Sequence, residues 1–159
     1  MHKTVLNLVN IQNEIKLKFK KLPNIIAVSK TFSENQILPL IEYGHIDFGE
    51  NKVQEAMNKW PNLISKKKNV KLHMIGKLQT NKVKHAVSLF DYIHSLDNKK
   101  LAERIANEQL KQNKSLKLFI QVNIGDEMQK SGINKNNLLD LIEFCKDLNL
   151  NIIGLMCIP

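Results

Sequence analysis

Six short apolar runs, each paired with a stretch of helically spaced apolar residues, recur along this 159-residue chain. The runs are Ile25-Ile26-Ala27-Val28, His45 to Gly49, Val70 to Ile75, Tyr92 to Leu96, Leu116 to Ile124 and Ile152 to Ile158. Their length and their β-branched and aromatic content predict strands. A first helix is predicted over 5–19, with Val5, Leu8, Val9, Ile11, Ile15 and Phe19 on one side, and Pro23-Asn24 as its stop. Later helices are predicted from Ser33-Glu34 to Gly44, over about 51–60, over 81–90, over 98–112 behind an Asp97 cap, and over 136–148. Strands that alternate with helices are parallel neighbours, because a parallel pair needs a crossover between its members. Two α/β architectures satisfy this pattern. One is a doubly wound sheet; the other is a (β/α)8 barrel, which needs two more strands than this chain supplies. No GxGxxG follows the first strand and no GxxxxGK[ST] occurs, so neither a dinucleotide fingerprint nor a P-loop is present.

Composition narrows the function classes. A chain of this length with 43% hydrophobic and 25% charged residues reads as one globular domain over 1–159. No apolar run approaches the roughly 20 residues that span a bilayer, and the N-terminus lacks a secretory apolar core, so a cytoplasmic protein without a membrane partner is expected. Cys145 and Cys157 have no metal-ligand spacing, which leaves them as small packing residues and gives no metal site. The formal charge of +9 raises the question of nucleic acid, but Arg104 is the one arginine among 24 basic residues. Groove and phosphate recognition draws on the arginine fork, so no nucleic-acid partner is expected. The run Lys66-Lys67-Lys68 reads as a solvated loop.

In both architectures ligands bind beyond the carboxyl ends of the strands. The first strand ends in Lys30, the second in Glu50-Asn51, the third in Gly76 with His73 upstream, the fourth in His94-Ser95 and the fifth in Asn123. Lys30 is the most pointed of these. Burial of an ammonium lowers its pKa towards the amine that attacks carbonyls, which is how Schiff-base lysines arise; the plain alternative is a head group that snorkels to water. Glu50 reads either as a base or counter-ion to Lys30, or as a first-turn carboxylate at a helix N-terminus. His73 and His94 read as hydrogen-bonded core or rim residues, and Ser29 and Ser95 lack a GxSxG setting.

Taken together, the strand ends resemble a known family. The blocks are Ile26-Ala27-Val28-Ser29-Lys30-Thr31; Asp47-Phe48-Gly49-Glu50-Asn51 with Val53-Gln54-Glu55; His73-Met74-Ile75-Gly76 with Leu78-Gln79-Thr80-Asn81-Lys82; Ile93 to Asp97; Ile120 to Ile124 with Lys130-Ser131-Gly132; and Gly154 to Pro159. In this order they are similar to the pyridoxal-phosphate homeostasis family, which resembles the N-terminal barrel domain of alanine racemase. The resemblance implies a (β/α)8 TIM-barrel-type fold, incomplete here at about six β/α units. It also implies pyridoxal 5′-phosphate held as an aldimine on Lys30, with Asn51, His73, Ser95 and Met156 around the ring. The implied role is cofactor homeostasis without robust catalysis. A racemase reaction needs a second acid/base on the opposite cofactor face.

Family members continue through strands seven and eight, which supply the phosphate anchor. The expectation for this chain is therefore a C-terminally truncated member, with weakened cofactor binding and a monomeric or weakly self-associating state through open sheet edges. The alternative is a lysine-dependent Schiff-base enzyme of racemase or aldolase type.

Overall fold

The computed structural model describes residues 1–66, 69–125 and 131–158, with the side chain of Lys66 left aside. The strands are β1 (Ala27–Val28), β2 (Asp47–Glu50), β3 (Lys71–Met74), β4 (Tyr92–Leu96), β5 (Lys117–Asn123), β6 (Ile133–Asn134) and β7 (Ile152–Met156). The helices are α1 (Lys3–Lys18), α2 (Glu34–Tyr43), α3 (Val53–Lys66), α4 (Val83–Leu89), α5 (Lys99–Gln112) and α6 (Leu138–Asp147). Single 3-10 turns, Thr80–Lys82 and Lys135–Asn137, lead into α4 and α6.

All strand pairs are parallel, and the main sheet runs β1-β2-β3-β4-β5-β7, with β6 added at the carboxyl end of β5. Six β/α units thus lie in chain order, as the alternation predicts. Among the described residues β1 pairs only with β2 and β7 only with β5, so the sheet does not close into a barrel. This is the incomplete barrel architecture expected of six units.

Register partners share a face in a parallel ladder, and this sorts the core. Phe48 pairs with Leu72, Met74 with Ile93 and Ile93 with Leu118; all five are buried under the helices. The opposite face carries Gly49, His73, Tyr92, Phe119, Gly154, Gln121 and Met156, again in register. One face of the sheet therefore holds the apolar core and the other, concave in a barrel, collects polar and aromatic groups.

Several boundaries differ from the sequence reading for physical reasons. Helix α1 spans Lys3–Lys18, and of its predicted apolar stripe only Val5 and Leu8 are buried, because α1 packs chiefly against α2 and leaves Ile11 and Phe19 to solvent. Strand β1 is two residues long and Val28 is 46% exposed, since among the described residues no strand covers its outer edge. Helix α3 continues through Pro61 to Lys66. A mid-helix proline costs about 3 kcal/mol, but Trp60 and Leu63 on either side are buried at 0% and 2%, and each contributes roughly 1.5–3 kcal/mol. Lys66 is thus helical and not in a loop, while Lys67, Lys68, Lys130 and Pro159 lie outside the described residues. The cap of α5 is Asn98, whose side chain accepts from Leu101 N (2.9 Å). Asp97 instead accepts from Gly132 N through Oδ2 (3.2 Å), tying β4 to the β6 segment. Cys145 is buried as a packing residue, whereas Cys157 is exposed. Helix α2 follows the prediction at both ends: Ser33 forms a capping box with Gln36, and Gly44 ends the helix at φ 99°, a left-handed conformation suited to glycine.

Leu118 lies at the middle of this sheet and is fully buried. Leu118→Ala is expected to lower the unfolding free energy by about 2–5 kcal/mol, measured as a reduced urea midpoint with an unchanged slope.

Candidate functional site

The carboxyl ends of β1, β2, β3, β5 and β7 converge on a cleft of about 520 Å³, within the range of small-molecule sites. Lys30, Asn51, Gly76, Gln121, Asn123 and Met156 are among its walls, with Val28, Ile75 and Ile158 as apolar surface. Gly76 is required by close approach: a Cβ there would fall 2.3 Å from the backbone oxygen of Asn51. The third strand end and the residue after β2 can therefore meet only with a bare α-carbon between them.

Lys30 is exposed, and its ammonium has no hydrogen bond or ion pair with the described residues. Its position is set by backbone. The turn that carries it is pinned from the helix side of the sheet by a buried network. Glu50, fully buried at the end of β2, accepts at Oε1 from Ser29 Oγ (2.7 Å) and from Trp60 Nε1 (2.9 Å), and the same oxygen is ion-paired with Lys59 Nζ (2.8 Å). Lys59 also donates to Ser29 O (2.8 Å), Phe32 O (3.3 Å) and Glu55 Oε1 (3.3 Å). Glu55 in turn accepts from Thr31 N. Burial works against the Glu55 charge, but the Thr31 amide and the Lys59 ammonium hold its pKa below the ordinary value. Thr31 has φ 66°, a left-handed conformation that costs a side-chain-bearing residue about 1 kcal/mol. Glu50 is thus neither a counter-ion to Lys30 nor a helix N-terminal carboxylate. It is the anion of a buried ion pair with Lys59.

A second polar chain crosses the inner face of the sheet. His73 Nε2–H donates to Asp47 Oδ1 (3.0 Å), which leaves His73 Nδ1 to accept from His94 Nε2–H (2.9 Å). Tyr92 stacks on His73 at 4.1 Å and Phe119 on His94 at 4.3 Å between ring centroids. Burial pushes the His94 imidazole down to about 4, and the neighbouring His73 adds to the shift. Burial also lowers His73, against the opposing pull of Asp47 and Asp91.

Of the five residues proposed from sequence, the cleft brings together Lys30, Asn51 and Met156. His73 belongs to the histidine chain, and Ser95 is buried with an Oγ that meets no partner among the described residues. Neither lines the cleft. Sequence reasoning did not single out Gln121, Lys77, Ser131 or Lys59. Lys59 carried one signal: it lies three residues after the inward Ala56 and next to Trp60, on the buried side of α3.

The histidine chain has a consequence for stability. A histidine whose folded pKa is lowered binds its proton more readily in the unfolded chain, so its contribution is complete above the unfolded value near 6.5 and is lost as pH falls towards 4. For His94 this is roughly 2–4 kcal/mol. Urea unfolding at pH 7.5, 6, 5 and 4.5 is expected to show falling stability, and His94→Phe, which keeps an aromatic ring beside Phe119, is expected to flatten that slope.

The sequence profile of the alanine racemase N-terminal domain matches residues 7–159. The pyridoxal phosphate homeostasis protein of Pasteurella multocida is 39% identical over 160 residues, spanning 96% of this chain and 69% of that protein. The same-named protein of Aquifex aeolicus is 39% identical over 136 residues, spanning 85% of this chain and 59% of its own length. Among solved structures, PipY of Synechococcus elongatus without pyridoxal phosphate superposes with a TM-score of 0.82 at 35% identity, over 92% of this chain and 69% of PipY. The form of PipY with pyridoxal phosphate bound gives 0.80 at 34%. An alanine racemase of Clostridium difficile, 14% identical with a TM-score of 0.72, shares the fold over 95% of this chain and 40% of its own. The chain thus spans about 60 to 70% of the homeostasis proteins it matches. With its parallel sheet, its ordered strand-end blocks and these matches, it belongs to the alanine racemase N-terminal domain family, among the pyridoxal phosphate homeostasis proteins.

Proposed function

We propose that this chain holds pyridoxal 5′-phosphate covalently on Lys30 and serves the intracellular balance of that cofactor rather than the turnover of a substrate. The observation that carries this reading is the placement of Lys30: its ammonium, without a partner among the described residues, stands at the rim of the cleft, on a turn fixed by other residues. The similarity to PipY, a protein solved with pyridoxal phosphate bound, supports the choice of ligand.

The chemistry asks little of the protein. Pyridoxal phosphate, when bound, would supply an aldehyde for a reversible covalent link to the Lys30 amine, made with loss of one water and undone by its addition. Reversibility suits a protein that takes up and releases a reactive aldehyde. Asn51 and Met156 are the side chains we assign to the ring, with Ile75, Val28 and Ile158 excluding water from its faces.

The makeup of the cleft supports holding over catalysis. Its described walls carry amides, apolar groups, Ser131 and a second lysine, Lys77, with no carboxylate, imidazole or phenol. Proton transfer to a substrate carbon calls for such a group at the face opposite the lysine.

Addition of pyridoxal phosphate to the purified chain is expected to give a new near-visible absorbance band that saturates with one cofactor per chain. Lys30→Ala is expected to lose that band, with binding at least tenfold weaker, while its unfolding free energy stays within about 0.5 kcal/mol because the side chain is exposed. A saturating band of equal strength in the variant would contradict the proposal.

A further inference from the structure

We propose that the buried Glu50–Lys59 pair is a clamp on the Ser29–Phe32 turn, and that Glu50, Lys59 and Glu55 are positioning residues for Lys30. The effect on Lys30 chemistry rests on the reading of Lys30 as the cofactor lysine; the clamp itself does not.

The clamp grips main chain on both sides of Lys30. Lys59 Nζ binds Ser29 O, one residue before it, at 2.8 Å, and Phe32 O, two residues after it, at 3.3 Å. Glu55 Oε1 takes the amide of Thr31 and is itself held by Lys59. Glu50 Oε1 takes the Ser29 hydroxyl at 2.7 Å. With the Ser29 amide, which donates to Gly49 O at 2.9 Å, four backbone polar groups and one side chain of a four-residue turn are thus bound by residues of β2 and α3, while the Lys30 ammonium is bound by nothing among the described residues. Thr31 lies between, in the left-handed region at φ 66°. Apart from the turn's own Phe32 N–H to Ser29 O bond (3.2 Å), the bonds that hold this conformation come from outside it.

Stability alone does not account for the arrangement. A buried ion pair loses hydration on both members, and an apolar pair of similar volume is often as stabilising. What an apolar pair cannot do is bind two carbonyls and, through Glu55, an amide at fixed positions. The Lys59 ammonium can, because its charge is matched by Glu50, which lies against it at 2.8 Å with side-chain exposures of 9% and 0%. Trp60 Nε1 fixes the same carboxylate oxygen at 2.9 Å, so α3 places both the cation and the anion. The result is a lysine whose Cα is fixed while its Nζ is free to reach a carbonyl carbon.

The double variant Glu50→Gln/Lys59→Met removes the clamp without leaving an unpaired buried charge. Glu55→Ala, at a side chain 30% exposed, removes the Thr31 acceptor and one Lys59 contact while leaving the Glu50–Lys59 pair in place. In both, amide hydrogen exchange at Thr31 is expected to speed up at least tenfold, with cooperative thermal unfolding retained. Borohydride trapping of pyridoxal phosphate at Lys30 is expected to fall at least tenfold in the double variant, with labelling of the other lysines unchanged. Unchanged Thr31 exchange in Glu55→Ala and in the double variant would overturn the clamp. Faster exchange with undiminished trapping at Lys30 would overturn the positioning role. Unselective trapping already in the wild type would instead overturn the cofactor reading, and Thr31 exchange would still decide the clamp.

Discussion

A carboxylate with no access to water is the constraint on which the site end of this fold is built. Glu50 closes β2 and is fully buried, and Lys59, Trp60 and Ser29 converge on one of its oxygens. Those partners come from α3 and from the residue after β1, so a single charge fixes how β1, β2 and α3 meet. Removing one member of such a pair costs about 3–5 kcal/mol, because the other is left buried and unpaired. The same requirement orients Trp60, whose ring packs on Phe48 at 5.1 Å and anchors the helix-facing core. Packing, charge compensation and the placement of Lys30 are therefore one problem with one solution.

The two faces of the sheet divide the work. Under the helices, Phe48, Leu72, Ile93, Leu118 and Ile120 form a closed apolar layer. On the inner face, polar groups satisfy one another in sequence, Asp47 to His73 to His94, between the rings of Tyr92 and Phe119. The cleft lies beyond that chain, at the strand ends. Among the described residues the outer edges of β1 and β7 are unpaired, and there Val28, Ile153 and Leu155 are 46%, 45% and 55% exposed. The relatives are longer than this chain, and in a closed barrel such edges are paired.

Much of this was legible in the residues. Strand β4 carries the predicted bounds, because Tyr92 to Leu96 is a compact apolar run between Asp91 and Asp97. The ends of α2 were written in Ser33 and Gly44. Lys30 and Asn51 stand at strand ends, which face the same way in parallel α/β folds, whereas Met156 was placed beside them by the family resemblance alone. What could not be read has a common cause. Glu50 and Lys59 are charged, and a charge in sequence reads as solvent-facing until its partner, nine residues away on the next element, is brought against it. The histidine chain joins residues 26 and 21 positions apart on three strands, so no local pattern contains it. Strand β6 is two residues long, and α3 runs through a proline that local rules treat as a stop.

One lysine of 23 is made chemically distinct by geometry, through a turn bound by β2 and α3 and a cleft at its head. The most direct test is a peptide map of the wild-type chain after stoichiometric pyridoxal phosphate and borohydride reduction. The account predicts the reduced adduct on the peptide carrying Lys30, at near one per chain, with the remaining lysines essentially unmodified. Adducts distributed over many lysines, with Lys30 no richer than its neighbours Lys52 and Lys77, would contradict it.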